Sequence, residues 1–194
     1  GLRFADGTLT PRHGEYRYVV GVDVADGIGA DRSVADVHRM ATLEEPEEQV
    51  AQYVTDTVPP SAFAFLVDVI GRWYRDHDGF EACVAVETDN HGMSVQDVLQ
   101  LHLGYGHFYR WEYMDAIDPK RRISTKMGWS TTKQTRPLLM DKIYSALTTI
   151  DPVTHATDLV IHSAILREEL ADFQTDGALW EAAAARGAHD DCVM

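Results

Sequence analysis

Cysteine is scarce in this chain: two in 194 residues, Cys83 and Cys192, far apart and without CxxC spacing. That rules out a disulfide framework. Nine histidines are scattered with no HExxH or paired Cys/His pattern, which argues against a structural zinc site. Cys83, inside EACVAV, reads as a small core residue in a reducing compartment. No apolar run reaches the roughly 18 residues of a membrane helix, and the N-terminus lacks a charged region followed by an apolar one. A soluble intracellular protein is expected. There is no GxxxxGK[ST] phosphate loop, so ATP hydrolysis by that route is excluded, and there is no internal repeat or low-complexity tract.

Positive charge is also short. Seventeen Lys and Arg face 31 Asp and Glu, for a net charge of -14. A polyanionic partner normally needs a basic footprint, yet the distribution differs from the sum. Arg110, Lys120, Arg121, Arg122, Lys126, Lys133, Arg136 and Lys142 are eight of the 17 bases, against four acids in the same segment (Glu112, Asp115, Asp118 and Asp141). That segment carries +4 while the rest carries -18.

With 45% hydrophobic and 25% charged residues the chain fits one globular core. Residues 1–16 are Gly, Pro and polar without period, and read as a linker or tail from a preceding domain, leaving 17–194 as the domain. Tyr16 to Val24 and Ser33 to Met40 read as two strands around a Gly-rich turn, a hairpin, followed by a weaker strand from Glu47 to Val54. Ala62, Phe65, Leu66, Val69, Ile70 and Trp73 recur at helical spacing, predicting a helix over 61–76. Cys83 to Val86 is a short apolar run expected for a central strand buried on both faces. Asn90 or Ser94 can cap a helix to about Leu103, His107 to Met114 is a strand candidate, and 115–134 shows no sustained period. Thr135 can cap a helix with Pro137 in its first turn and Leu139, Met140, Ile143, Tyr144 and Leu147 on one face. A short strand at Leu159 to Ile161 and a helix from Ser163 to Phe173 follow. From Asp176 onward AAAA favours helix while the flanking glycines favour loop or short strand, and the pattern selects neither. The order predicts an α/β architecture: a hairpin-started mixed sheet flanked by helices.

Three acidic motifs sit where an apolar strand ends or a new element begins: Asp23 in GVDVADG, Glu87 in VAVETDNHG, and Asp190 with Asp191 in GAHDDCVM. Carboxylates from such places can converge on Mg²⁺ or Mn²⁺, hard cations that prefer oxygen ligands. Phosphodiester hydrolysis in a two-metal site needs ions about 3.5 to 4 Å apart, one activating water and one stabilising the leaving oxygen. Asp23 suits the bridging position, Glu87 would hold one ion, and Asp190 or Asp191 the other. Taken singly, each acid also fits a plainer role: Asp23 in a turn, Glu87 at a strand end, Asp190 and Asp191 as a helix cap with His189 packed beside them. Asp26, Asp31 and Asp89 read as turn or supporting residues. The ordered combination carries the argument.

GVDVADGIGADRSVADV, VAVETDNHG, GWSTTKQTRPLLMDKIYSAL, DLVIHSAILREELADF and GAHDDCVM together resemble the nuclease domain of large terminase subunits, the genome-packaging motors of tailed bacteriophages. The resemblance spans nearly the whole chain after residue 16. The first motif departs from the family, which often has Pro after the aspartate where this chain has Val24. The resemblance implies an RNase H-like fold and two-metal ligation by Asp23, Glu87, and Asp190 or Asp191. It also implies an ATPase domain N-terminal to this one in a full-length protein, portal and small terminase subunits as partners, and the cytoplasm of an infected host as the location. Double-stranded DNA is the implied substrate, and Arg121, Arg122, Lys126, Trp129, Lys133 and Arg136 would hold its phosphates without reading sequence. Two other readings remain open at this point: a junction resolvase or transposase-like nuclease of the same fold, and a non-catalytic DNA- or partner-binding module.

Overall fold

The computed structural model describes residues 3–4, 16–25, 31–76, 78–88, 91–113, 124–152, 155–174 and 183–184. Its frame is a mixed sheet. Strand β2 (Tyr18–Asp23) pairs antiparallel with β3 (Ser33–Arg39), from Tyr18 opposite Arg39 to Asp23 opposite Val34. β3 pairs antiparallel with β4 (Glu47–Thr55), and helix α1 (Pro60–Trp73) crosses back to β5 (Cys83–Val86), which lies parallel to β2 on its free side. The strand predicted as weak, β4, is nine residues long. β1 (Arg3–Phe4), inside the stretch read as a tail, pairs with β4, giving the order β1-β4-β3-β2-β5. The predicted hairpin start and mixed sheet are present.

After β5 come α2 (Gly92–Asp97), continued by a π-helical turn at Val98–His102, then β6 (Arg110–Tyr113), β7 (Ser124–Met127) and α3 (Arg136–Thr148). β8 (Leu159–Val160) runs parallel to the start of β4 and leads into α4 (Ala164–Asp172), and the short strands β9 (Phe173–Gln174) and β10 (Ala183–Ala184) pair with each other. No described helix is long and apolar enough to cross a membrane.

One face of the sheet carries the core. Tyr18, Val20 and Val22 of β2 alternate inward with Val84 and Val86 of β5, and pack with Phe63, Val67 and Ile70 of α1 and Val95 and Leu99 beyond it. Each fully buried Val or Leu contributes about 1.5–3 kcal/mol relative to exposure. The Tyr105 hydroxyl donates to the Ala82 carbonyl at 2.6 Å, and burial pushes its ionisation far up.

The sequence expectations need five corrections. α1 buries Phe63, Ala64, Val67, Ile70 and Gly71, while Phe65, Val69 and Trp73 of the expected stripe are exposed. The helix is apolar around much of its circumference, so spacing alone chose the wrong face. β5 is fully buried on one face and only partly on the other. Part of the aperiodic basic stretch is strand β7, paired with β6 from Tyr113 opposite Ser124 to Arg110 opposite Met127. Thr135 is the N-cap residue of α3, as expected, but its side chain makes no cap bond: its Oγ1 donates to the Ser130 carbonyl at 2.6 Å, and in the turn before the helix Thr132 Oγ1 accepts the backbone N–H groups of Gln134 and Thr135 at 3.2 Å each. Ser94 does not cap α2 but lies within the helix, which begins at Gly92 after His91; Asn90, the other expected cap, lies outside the described residues.

The second sheet face is polar. Between Val37 and His38 the pairing slips from Val37 opposite Ala51 to His38 opposite Gln49, a bulge that leaves Val50 over. Strand alternation would put Gln49 and Gln52 on opposite faces, and the extra residue brings them to the same one. Both amides meet the buried Asp36 there, beneath the N-terminus of α4.

Candidate metal centre

β2 and β5 are parallel neighbours, so their carboxyl ends finish side by side, the place where open α/β sheets bind ligands. The register sets Val22 opposite Val86, which brings the next residues, Asp23 and Glu87, level with each other. The Glu87 N–H donates to the Val22 carbonyl at 2.8 Å and holds that register to the last residue. Val20, Val22, Val84 and Val86 face α1, so Asp23 and Glu87 share the opposite face, where Gly21 and Ala85 behind them keep it low. Both acids are half-buried.

The exits of both strands are tied down. Ser33, fully buried, accepts the Ala25 N–H on its Oγ at 3.1 Å, fixing the turn that leaves Asp23. Around Glu87 two glycines allow the backbone to be clamped. A Cβ on Gly92 would stand 1.6 Å from the Glu87 carbonyl oxygen, and one on Gly128, whose φ is +79°, would stand 2.5 Å from the Val86 carbonyl oxygen. Neither glycine was singled out from sequence. Their signals were the HG that opens α2 and the MGW that closes β7.

Trp129, expected to contact DNA, stands beside Glu87 as a bridge partner. Its N–H donates to Val86 at 2.8 Å, and its carbonyl accepts from the backbone N–H of Thr88 at 2.7 Å and from Thr88 Oγ1 at 3.0 Å. Its ring meets Trp111 edge-on at 4.8 Å. Trp129 is thus a wall of the site, fixed by its backbone. Lys126 is exposed on β7, Lys133 is exposed in the turn before α3, and Arg136 is the half-buried first residue of that helix. The segment from 126 to 136 therefore begins beside the Glu87 side of the pair and leads away into α3. Asp190, Asp191, Arg121 and Arg122 lie outside the described residues, as do Asp26, Asp89, His189 and Cys192.

Two carboxylates level on adjacent strand ends fit a hard divalent cation, because their like charges lower each other's stability unless a positive charge lies between them. Among the described residues no third Asp, Glu, His or Cys joins them in a metal-binding group.

No protein-family model and no curated protein sequence matches the chain. Solved structures do. The large terminase nuclease from thermophilic phage G20c superposes with a TM-score of 0.56 at 14% identity, covering 92% of this chain and 78% of that one. The same nuclease with bound magnesium gives 0.61 at 15% identity, covering 92% and 77%. The manganese-bound nuclease domain of the phage SPP1 large terminase gives 0.47 at 13% identity over 83% and 72%. The two G20c superpositions establish the architecture: the chain has the fold of a phage large terminase nuclease domain.

Proposed function

We propose that this chain is a Mg²⁺- or Mn²⁺-dependent endonuclease that cuts double-stranded DNA during viral genome packaging, as the nuclease part of a large terminase. The observation that carries the reading is the levelling of Asp23 with Glu87 on one face at the ends of two parallel strands. The magnesium bound by the G20c nuclease, which has the same fold, supports a divalent metal at this edge. Asp23 and Glu87 would hold the ions together with Asp190 or Asp191 from the C-terminal motif.

Bound there, the metals would activate water and neutralise charge on the leaving 3′ oxygen. The chain's own residues supply the rest. Asp23 and Glu87 orient the ions on a base that the Val22 and Ser33 hydrogen bonds keep still, and the segment from Lys126 to Arg136 offers cations to the backbone on the Glu87 side. Such contacts are independent of sequence and weaken with salt. An ATPase domain of the same protein, a portal and a small terminase subunit belong to this reading as partners.

Plasmid cleavage with Mn²⁺ tests it. Wild type should nick and linearise DNA, and Asp23→Ala should lose at least about a hundredfold in rate, the scale on which a missing charge-stabilising group is felt. Equal cleavage by the two would remove Asp23 from the mechanism.

A further inference from the structure

On the β3 side of the acid pair stands a cation to which the sequence assigned no function. Arg32 immediately precedes β3, where Val34 is the partner of Asp23. Alternation puts Ser33 toward the core and Arg32 on the same face as Val34, Asp23 and Glu87. Glu169 of α4 reaches that face from above and meets Arg32, with its Oε1 3.9 Å from the Arg32 Nη1. The two ends of this contact differ: the Glu169 side chain is 7% exposed and that of Arg32 37%. A buried carboxylate therefore anchors a guanidinium that stands at the solvent edge.

Across the sheet edge the order is Arg32, Asp23, Glu87, then Trp129 and the segment leading to Lys133 and Arg136. Neighbouring strands are about 4.8 Å apart, so Arg32 and the Trp129 segment are separated by roughly 15 Å with the acids in the middle. A chain of phosphates lying across the acid pair would meet positive charge at both ends.

We propose that Arg32 is a phosphate-contacting residue for the DNA strand that crosses the metal centre, and that Glu169 is the positioning residue that holds its guanidinium there. This rests on the nuclease reading. A planar guanidinium suits the task because it matches phosphate geometry and keeps its charge at every working pH. Its anchor lies on α4, so the seat of that helix and the grip on DNA are linked.

The test is binding of a short phosphorothioate DNA duplex in Mn²⁺ across a KCl series, followed by fluorescence anisotropy. Arg32→Ala should bind about tenfold more weakly, and the slope of log affinity against log salt should fall by about 1, the value of one lost phosphate contact. Arg32→Lys should keep the slope. Mn²⁺ affinity measured without DNA should stay as in wild type. Removing Arg32 takes a cation away from a buried carboxylate, so Arg32→Ala/Glu169→Gln is the companion: its melting temperature should return toward wild type while the slope stays low. That double variant also carries the measurement if Arg32→Ala alone fails to fold. A wild-type slope in Arg32→Ala or in the double variant overturns the inference and leaves Arg32 with a structural role only. A wild-type chain that neither binds nor cuts DNA overturns the nuclease reading and this one together, so the two failures are distinguishable.

Discussion

The side-chain amide of Gln49 donates to both carboxylate oxygens of Asp36, at 2.8 and 2.9 Å, in the middle of the polar sheet face. Its other end, Oε1, accepts the backbone N–H groups of His162 and Ser163 at 3.0 and 2.7 Å. One buried side chain thereby joins a strand acid to the start of α4. Gln52 repeats the bridge, donating to Asp36 at 3.3 Å and accepting from Ser163 Oγ at 2.6 Å, while Ser163 Oγ accepts the Leu166 N–H and caps the helix. The bulge at Val37 and His38 makes both bridges possible, and these hydrogen bonds seat the start of α4 together with the apolar packing of Leu166 against Met140.

Gln49→Leu keeps the volume and removes both ends of the bridge. Asp36 loses the two amide contacts at 2.8 and 2.9 Å, and the His162 and Ser163 amides lose their acceptor. An uncompensated buried group costs about 1–3 kcal/mol, more when charged, so a loss of roughly 3 kcal/mol is expected. Urea unfolding measures it. A change under about 0.5 kcal/mol, the scale of an ordinary surface substitution, would show that the network is ornamental.

The same face predicts a pH dependence. Burial pushes the His38 pKa down, but Asp36 and Glu47 outweigh it and lift the value to about 9. Glu47 Oε1 lies 2.9 Å from His38 Nδ1, a hydrogen bond, whereas Asp36 at 3.9 Å from Nε2 is a charge contact only. A folded pKa above the unfolded value of 6.5 means that folding favours the protonated ring. Its contribution is complete below about pH 6.5 and is lost as pH rises through about 9. A shift of this size is worth on the order of 3 kcal/mol. Unfolding free energy should therefore fall between pH 6.5 and 9.5, and His38→Gln should flatten that fall. Parallel curves for the two proteins would remove His38 as the cause.

Much of this was legible in the chain. β-branched runs gave β2, β3 and β5, and position at strand ends singled out Asp23 and Glu87, which the parallel register then brought level. What stayed hidden depends on pairings that no local pattern carries. Gln49 and Gln52 sit three apart and belong on opposite faces until a bulge elsewhere in the pair moves one. β7 reads as aperiodic because its partner β6 lies on the far side of ten residues rich in charge. Gly92 and Gly128 matter only because a strand end passes within touching distance of each, and Arg32 gains meaning only from a carboxylate well over a hundred residues later.

Gly92 offers a direct test of how tightly the Glu87 strand end is held. Gly92→Ala forces a Cβ against the Glu87 carbonyl, a backbone atom that cannot swing aside as a side chain would. Overpacking of this kind costs about 1–3 kcal/mol. The expected result is a lower melting temperature with a shift in the Mn²⁺ concentration needed for half-maximal cleavage, because the displaced backbone carries a proposed ligand. Ser94→Ala, on the exposed side of the same helix, is the control. If Gly92→Ala melts lower yet keeps the wild-type Mn²⁺ requirement, the clamp serves the fold and not the site.

Metal removal should be visible without any DNA. An ion that binds the folded chain and not the unfolded one adds stability of about 2.7 kcal/mol when its concentration is a hundred times the dissociation constant. Mn²⁺ should accordingly raise the melting temperature of the wild type, and EDTA should return it. Asp23→Asn and Glu87→Gln each keep shape and remove one negative charge from the level pair, so each should shrink the Mn²⁺-dependent rise, and the double variant should abolish it. Because the two acids act on one ion cluster, the losses should not add: the first substitution should take most of the effect. An equal rise in wild type and in the double variant would place the metal elsewhere on this strongly acidic chain and detach the levelled carboxylates from metal binding.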